Sequence, residues 1–133
     1  MSAVTLIRND NLTEHVEYAY GATAGPGARV VWTAGACPLD GDGATVAPGD
    51  VTAQAHQVMR NLREALRGAG AELTDIVKTT VYVASSRQED LVAAWTVVRS
   101  YMGGHDAPST LLGVTVLGYD DQLVEVEAVA VTA

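Results

Sequence analysis

An α+β fold, with two helices on one face of a mixed six-stranded sheet, is predicted by three features of the 133-residue sequence. Two segments carry apolar residues at three- and four-residue spacing, and each runs into glycines. Six shorter segments are rich in β-branched or aromatic residues and are parted by turn-formers. In chain order these read strand, strand, strand, helix, strand, helix, strand, strand, which leaves two apolar stripes to bury and one sheet to bury them on. No repeat, low-complexity tract or long linker interrupts them, so residues 1–133 are read as a single domain.

Residues 4–8, 16–20 and 29–33 read as strands of a meander, with Gly25-Pro26-Gly27 among the turns between them. Residues 39–49 (LDGDGATVAPG) form a loop or weak hairpin. Asp50 is placed to cap the first helix by accepting from its free N–H groups. Val51, Ala55, Val58, Leu62, Ala65, Leu66 and Ala69 then fall on one stripe, and Gly68 and Gly70 end it. Residues 75–83 (DIVKTTVYV) are a strand; residues 88–102 are a second helix with Leu91, Trp95, Val98 and Met102 on one face, stopped by Gly103-Gly104.

Two strands, residues 109–117 and 122–132, close the chain around a turn at 118–121. In the last, Val124, Val126, Ala128 and Ala130 share the face expected to receive the helices, because side chains alternate along a strand. The other face carries Leu123, Glu125, Glu127 and Val129. Residues two apart on a strand stand about 7 Å apart. Two neighbouring carboxylates flanked by apolar side chains predict that at least one lies in a cleft or at a subunit interface.

Eight Lys and Arg against 16 Asp and Glu leave a formal charge of −8, which repels a phosphate backbone and argues against nucleic acid as a partner. Aromatic residues are 5 % of the chain and Phe is absent, so base-stacking platforms are scarce and the core is built from Val, Leu and Ala. So light a core gains from association with further copies. A single cysteine, Cys37, forbids an intrachain disulfide and fits a reducing compartment. With no signal-like or membrane-length apolar run, a cytoplasmic protein that engages no membrane is expected. His15, His56 and His105 lack metal-ligand spacing, and no metal or cofactor is expected. Cys37 has no basic neighbour in sequence to lower its pKa and reads as an inert thiol.

Several segments together resemble the reactive intermediate (imine) deaminase family, the RidA-like or YjgF-like proteins. They are the run from Thr33 to Asp40 (TAGACPLD), Gly49-Asp50 with Gln54, Gln57 and Asn61-Leu62, Ala69-Gly70, DIVKTTVYV ending at Val83, Pro108, and VEVEAVA from Val124 to Ala130. Their order and near-constant spacing hold from about Tyr20 to Val131. The resemblance implies a chorismate-mutase-like α+β fold assembled as a homotrimer, with a small-molecule metabolite, carboxylated in members of the family, bound in each cleft between subunits. It implies cofactor-independent hydrolysis of an imine or enamine to a keto acid and ammonia.

That chemistry needs little machinery. An imine carbon is already electrophilic, so the protein has to hold the substrate, place a water and manage one proton. The resemblance assigns the water to Glu125 and a polar cleft contact to Tyr20, with Tyr18 as the alternative counterpart. It places Gly35 where backbone N–H groups meet substrate oxygen, with Glu127, Trp95 and His105 bordering the pocket. Three substrate-side positions depart from the family pattern. Ala34 replaces a hydroxyl residue, Leu112 replaces a frequent cysteine, and Thr110 stands where an arginine anchors the substrate carboxylate. Losing a charge-assisted anchor costs about 2–5 kcal/mol of anion binding. Two readings therefore stand: a hydrolase of C–N metabolites with altered preference for a less anionic ligand, or a non-catalytic small-molecule-binding or regulatory trimer.

Overall fold

The computed structural model describes residues 2–133 and shows the expected α+β class, with its strands divided between two sheets. Strands β1 (Val4–Ile7) and β2 (Gly21–Ala24) form an antiparallel hairpin of their own. The other four are β3 (Arg29–Trp32), β4 (Ile76–Val83), β5 (Ser109–Gly113) and β6 (Val124–Thr132). They lie in the order β3-β6-β4-β5. β4 and β5 are parallel, joined across helix α2 (Gln88–Met102), and the remaining pairs are antiparallel. A parallel pair needs a crossover of this length, whereas the 118–121 turn brings β6 to the opposite side of β4 from β5.

Helix α1 (Val51–Gly68) starts where Asp50 accepts from the Ala53 N–H at 2.9 Å. It ends as Gly70, at φ +79°, turns the chain so that the Gly70 and Ala71 N–H groups reach the carbonyls of Arg67 and Leu66. Ala55, Val58, Met59, Leu62 and Leu66 of α1 pack with Ala94, Val97 and Val98 of α2 onto Val124, Val126, Ala128 and Ala130. Gln54 and Met59 occupy the buried face that the spacing assigns partly to Ala65, which is exposed.

The expected strand over residues 16–20 is not present; the second strand is Gly21–Ala24. Its backbone groups are spent elsewhere. The Ala19 N–H donates to the Asp106 carbonyl at 2.7 Å, and the Tyr18 carbonyl accepts from Arg8 at 2.7 Å. β5 also stops at Gly113 rather than 117, where a Cβ would come within 2.7 Å of the Ser85 carbonyl.

Gln54 is fully buried and ties three segments together. Its amide nitrogen donates to the carbonyls of Asp121 at 2.9 Å and Ala47 at 3.3 Å, and its carbonyl accepts from the Leu123 N–H at 2.8 Å. Ala47 (φ 44°) and Asp121 (φ 61°) are the two non-glycine residues in left-handed backbone among the described residues. A Gln54→Leu replacement keeps the volume and orphans all three partners, so it is expected to lower unfolding free energy by about 2–4 kcal/mol. Urea unfolding of both proteins measures this; a loss below about 1 kcal/mol would mean that the loops stand without the clamp.

Candidate functional site

The sheet face turned away from the helices gathers what the fold does not use for its core. Register fixes its members: Glu125 opposite Tyr82, Glu127 opposite Thr80, and Val129 opposite Lys78 on β4 and Trp32 on β3. In β5, Thr110 stands beside Thr80 and Leu112 beside Tyr82. Apolar side chains are left open here, with Trp32 73 % exposed and Leu112 42 %.

Of the two acids on this face, Glu125 accepts two side-chain hydrogen bonds and Glu127 one. The Glu125 Oε1 accepts from the Cys37 thiol at 3.3 Å and from the Gln122 amide at 3.1 Å. No hydrogen bond is made to Oε2 among the described residues. The carboxylate lies against Gly35 so closely that an added Cβ would stand 2.3 Å from Oε2 and 2.6 Å from Cδ. The glycine of the Thr33-Ala34-Gly35 run is therefore needed for close approach, at an ordinary φ. Burial first, then donation to Glu125, pushes the Cys37 thiol up to about 11. It stays protonated at neutral pH and serves as a donor.

Glu127 has a separate partner, accepting from the Tyr82 hydroxyl at 2.6 Å. That bond, more than burial, raises the Tyr82 pKa. Beyond it, the Lys78 ammonium donates to the Thr110 hydroxyl at 2.6 Å. The position at which the sequence lacks an arginine thus has a cation beside it, contributed by the neighbouring strand. A concavity of about 190 Å³ is bordered by Trp32, Lys78, Thr80 and Glu127. On the β5 side a second, of about 390 Å³, is lined by Tyr18, Trp95, Ser109, Thr110 and Leu111.

The site residues expected from the sequence divide accordingly. Glu125 and Gly35 touch, Glu127, Thr110 and Leu112 share their sheet face, and Ala34 is exposed next to Gly35. Trp95 borders the concavity at Thr110 while its indole N–H donates to Glu17 at 3.2 Å. Tyr20 is turned elsewhere, its hydroxyl donating to the Thr13 carbonyl at 2.5 Å; Tyr18 is the tyrosine that lines the concavity. His105 is bonded through Nε2 to the Ile76 carbonyl at 2.7 Å, in a crevice shared with Arg99 and Met102 rather than in the concavity lined by Thr110. Lys78, Tyr82 and Gln122 are absent from the sequence-based set. The alternation Lys78, Thr80, Tyr82 marks two of them; nothing local marks Gln122. No group of three or more metal-ligating side chains occurs among the described residues.

An α+β protein with an uncovered sheet face, bearing a tethered carboxylate and bordered by small concavities, is the class that fold and site define. A family profile described as Endoribonuclease L-PSP matches residues 12–132. The chain belongs to this family, the RidA/YjgF proteins. It is 32 % identical over 116 residues to 2-iminobutanoate/2-iminopropanoate deaminase of Salmonella typhimurium, covering 86 % of each chain. The rat protein of the same name is 30 % identical over 103 residues, which are 77 % of this chain and 73 % of that one. Among solved structures, the conserved Rid-family protein YyfB of Yersinia pestis superposes with a TM-score of 0.86 at 29 % identity, covering 96 % of this chain and 98 % of its own. No helix among the described residues is long and apolar enough to cross a membrane.

Two outcomes follow from the Glu125 geometry. Gly35→Ala is expected to fold with a loss of about 1–3 kcal/mol and to displace the carboxylate from Cys37, visible as faster thiol alkylation at neutral pH; an unchanged alkylation rate refutes the contact. Because the folded thiol titrates near 11 and an unfolded one near 9, this group's contribution to stability is complete below pH 9. It is lost as pH rises from about 9 to 11. Unfolding free energies across that window should fall more steeply for the wild type than for Cys37→Ser.

Proposed function

We propose that the chain hydrolyses an imine or enamine, or a related C–N metabolite, at a site on the outer sheet face completed between subunits of a homotrimer. The observation that carries this reading is the half-tethered Glu125, with Oε1 held by Cys37 and Gln122 and Oε2 without a protein partner among the described residues. A carboxylate fixed at one oxygen is oriented to accept from a water at the other. In the proposed reaction the water oxygen adds to the imine carbon and its proton passes to Glu125. Glu125 returns that proton to nitrogen to give the neutral carbinolamine, then takes the hydroxyl proton and delivers it to the amine as the C–N bond breaks, leaving the carbonyl and ammonia. Atoms balance with one water consumed, and no redox step is involved.

Support for the assembly comes from the exposed Trp32 and Leu112 on an otherwise uncovered face, apolar area that a partner would bury. The names of the Salmonella and rat relatives support the reaction class. The −8 charge continues to argue against RNA as substrate, whatever the family's description. The alternative, a binding trimer without catalysis, draws on the same two bonds, since a carboxylate already accepting from Cys37 and Gln122 can serve structure alone.

The decisive measurement supplies imino acids generated in place by an amino-acid-eliminating enzyme and follows release of keto acid and ammonia. Acceleration by the wild type is expected, reduced about 100-fold or more in Glu125→Gln. No acceleration with a range of imines, or equal rates in the two proteins, rejects the catalytic role. Sedimentation should give a species of three times the 13.9 kDa chain mass.

A further inference from the structure

We infer that Lys78 is the anion anchor of this site and that its ligand carries a carboxylate, a statement that rests on the outer face being a small-molecule site. Lys78 is the single lysine among eight basic residues and the one cationic side chain on the outer face of the four-stranded sheet. The seven arginines are engaged elsewhere: Arg8, Arg67, Arg87 and Arg99 are paired with carboxylates, Arg29 donates to the Ala69 carbonyl, Arg60 donates to the Gln57 side chain, and Arg63 lies over the Tyr101 ring. Lys78 has no carboxylate within ion-pair distance among the described residues, in a chain with 16 of them.

Its one protein acceptor among the described residues is the Thr110 hydroxyl at 2.6 Å. An ammonium has three donors, so two remain. The nearest acid across the sheet, Glu127, already accepts from Tyr82. Lys78 is half-buried along its stem, beside Trp32 and Val129, while its ammonium meets the exposed Thr110 with donors unspent and can make charge-assisted bonds to an anion in the concavity.

The backbone is shaped at the same point. β4 carries a register shift between Ile76, opposite Ala130, and Lys78, opposite Val129. This irregularity lets Ile76 enter the core while Lys78, two residues on, faces outward. Bulges of this kind re-aim side chains and concentrate beside functional sites. Thr110 then becomes a positioning residue: it fixes the ammonium at the boundary between the 190 Å³ and 390 Å³ concavities, both sized for a small acid. The ligand class is a small monocarboxylate such as a 2-oxo or 2-imino acid, contrary to the less anionic ligand that Thr110 alone suggests.

Because there is one lysine, protein labelled with 13C-lysine gives a single εCH₂ resonance that reports on Lys78 alone. Titration with pyruvate, in excess chloride, is expected to shift it saturably, and pyruvamide, the neutral analogue, is not. In Lys78→Met, pyruvate affinity read from the Leu111 amide should weaken by about tenfold or more, and Lys78→Arg should restore most of it. No shift with pyruvate, an equal response to pyruvamide, or undiminished affinity in Lys78→Met overturns the inference. The readout is binding, so it separates from the deaminase reading. A lysine shift without imine hydrolysis rejects catalysis and keeps the anchor; hydrolysis without a shift does the reverse.

Discussion

The pleat of β6 is the constraint on which both the core and the site depend. Its even-numbered residues from Val124 to Ala130 sit under the helices, and Glu125 and Glu127 point to the opposite side. Slippage of the pairing by one residue would drive both carboxylates into an apolar core and expose four of its members. Burying even one ionised carboxylate without a partner costs several kcal/mol, a sizeable part of a small domain's whole stability. The register that stabilises the molecule is therefore the same register that presents the acids. Loss of the fold and loss of the site are not independent failures.

The two acids are then differentiated by what donates to them. Glu125 meets a thiol and an amide, neither of which carries charge at neutral pH, and it is pressed against a glycine. Glu127 meets a phenol whose proton it holds more firmly by accepting it. Neither is neutralised by a cation. The lysine on the same face leans instead on a threonine hydroxyl. Charges of both signs are thus held apart by neutral donors and acceptors, so the negative and positive ends of a polar ligand have separate places to land.

Much of this was legible in advance wherever a strong period met a clean stop. Helix α1, from its Asp50 cap to Gly70, and the alternation of β6 follow from spacing alone, as does the side-by-side placing of Glu125 and Glu127. The segment 16–20 differs from the sequence expectation because Tyr18 and Tyr20 carry strand preference into a stretch whose backbone bonds to Asp106 and Arg8 instead. Those partners are distant in sequence and invisible to any local rule. The thiol of Cys37 reads as inert by itself, and its use as a donor appears only when β6 brings Glu125 alongside. Nothing along the chain marks Lys78 as a neighbour of position 110, because the parallel pairing of β4 with β5 brings the two together across 32 residues.

Gln54 has a consequence of a different kind. One side chain on α1 reads the positions of two loops some seventy residues apart in sequence, through carbonyls that left-handed backbone turns inward. Those loops cannot drift separately: an insertion in either must return its carbonyl to the same amide or leave that amide unmatched in the interior. The loop preceding α1 and the turn preceding β6 are thereby one mechanical unit. A change of length in a segment such as residues 9–15, which owes nothing to that amide, leaves the clamp intact.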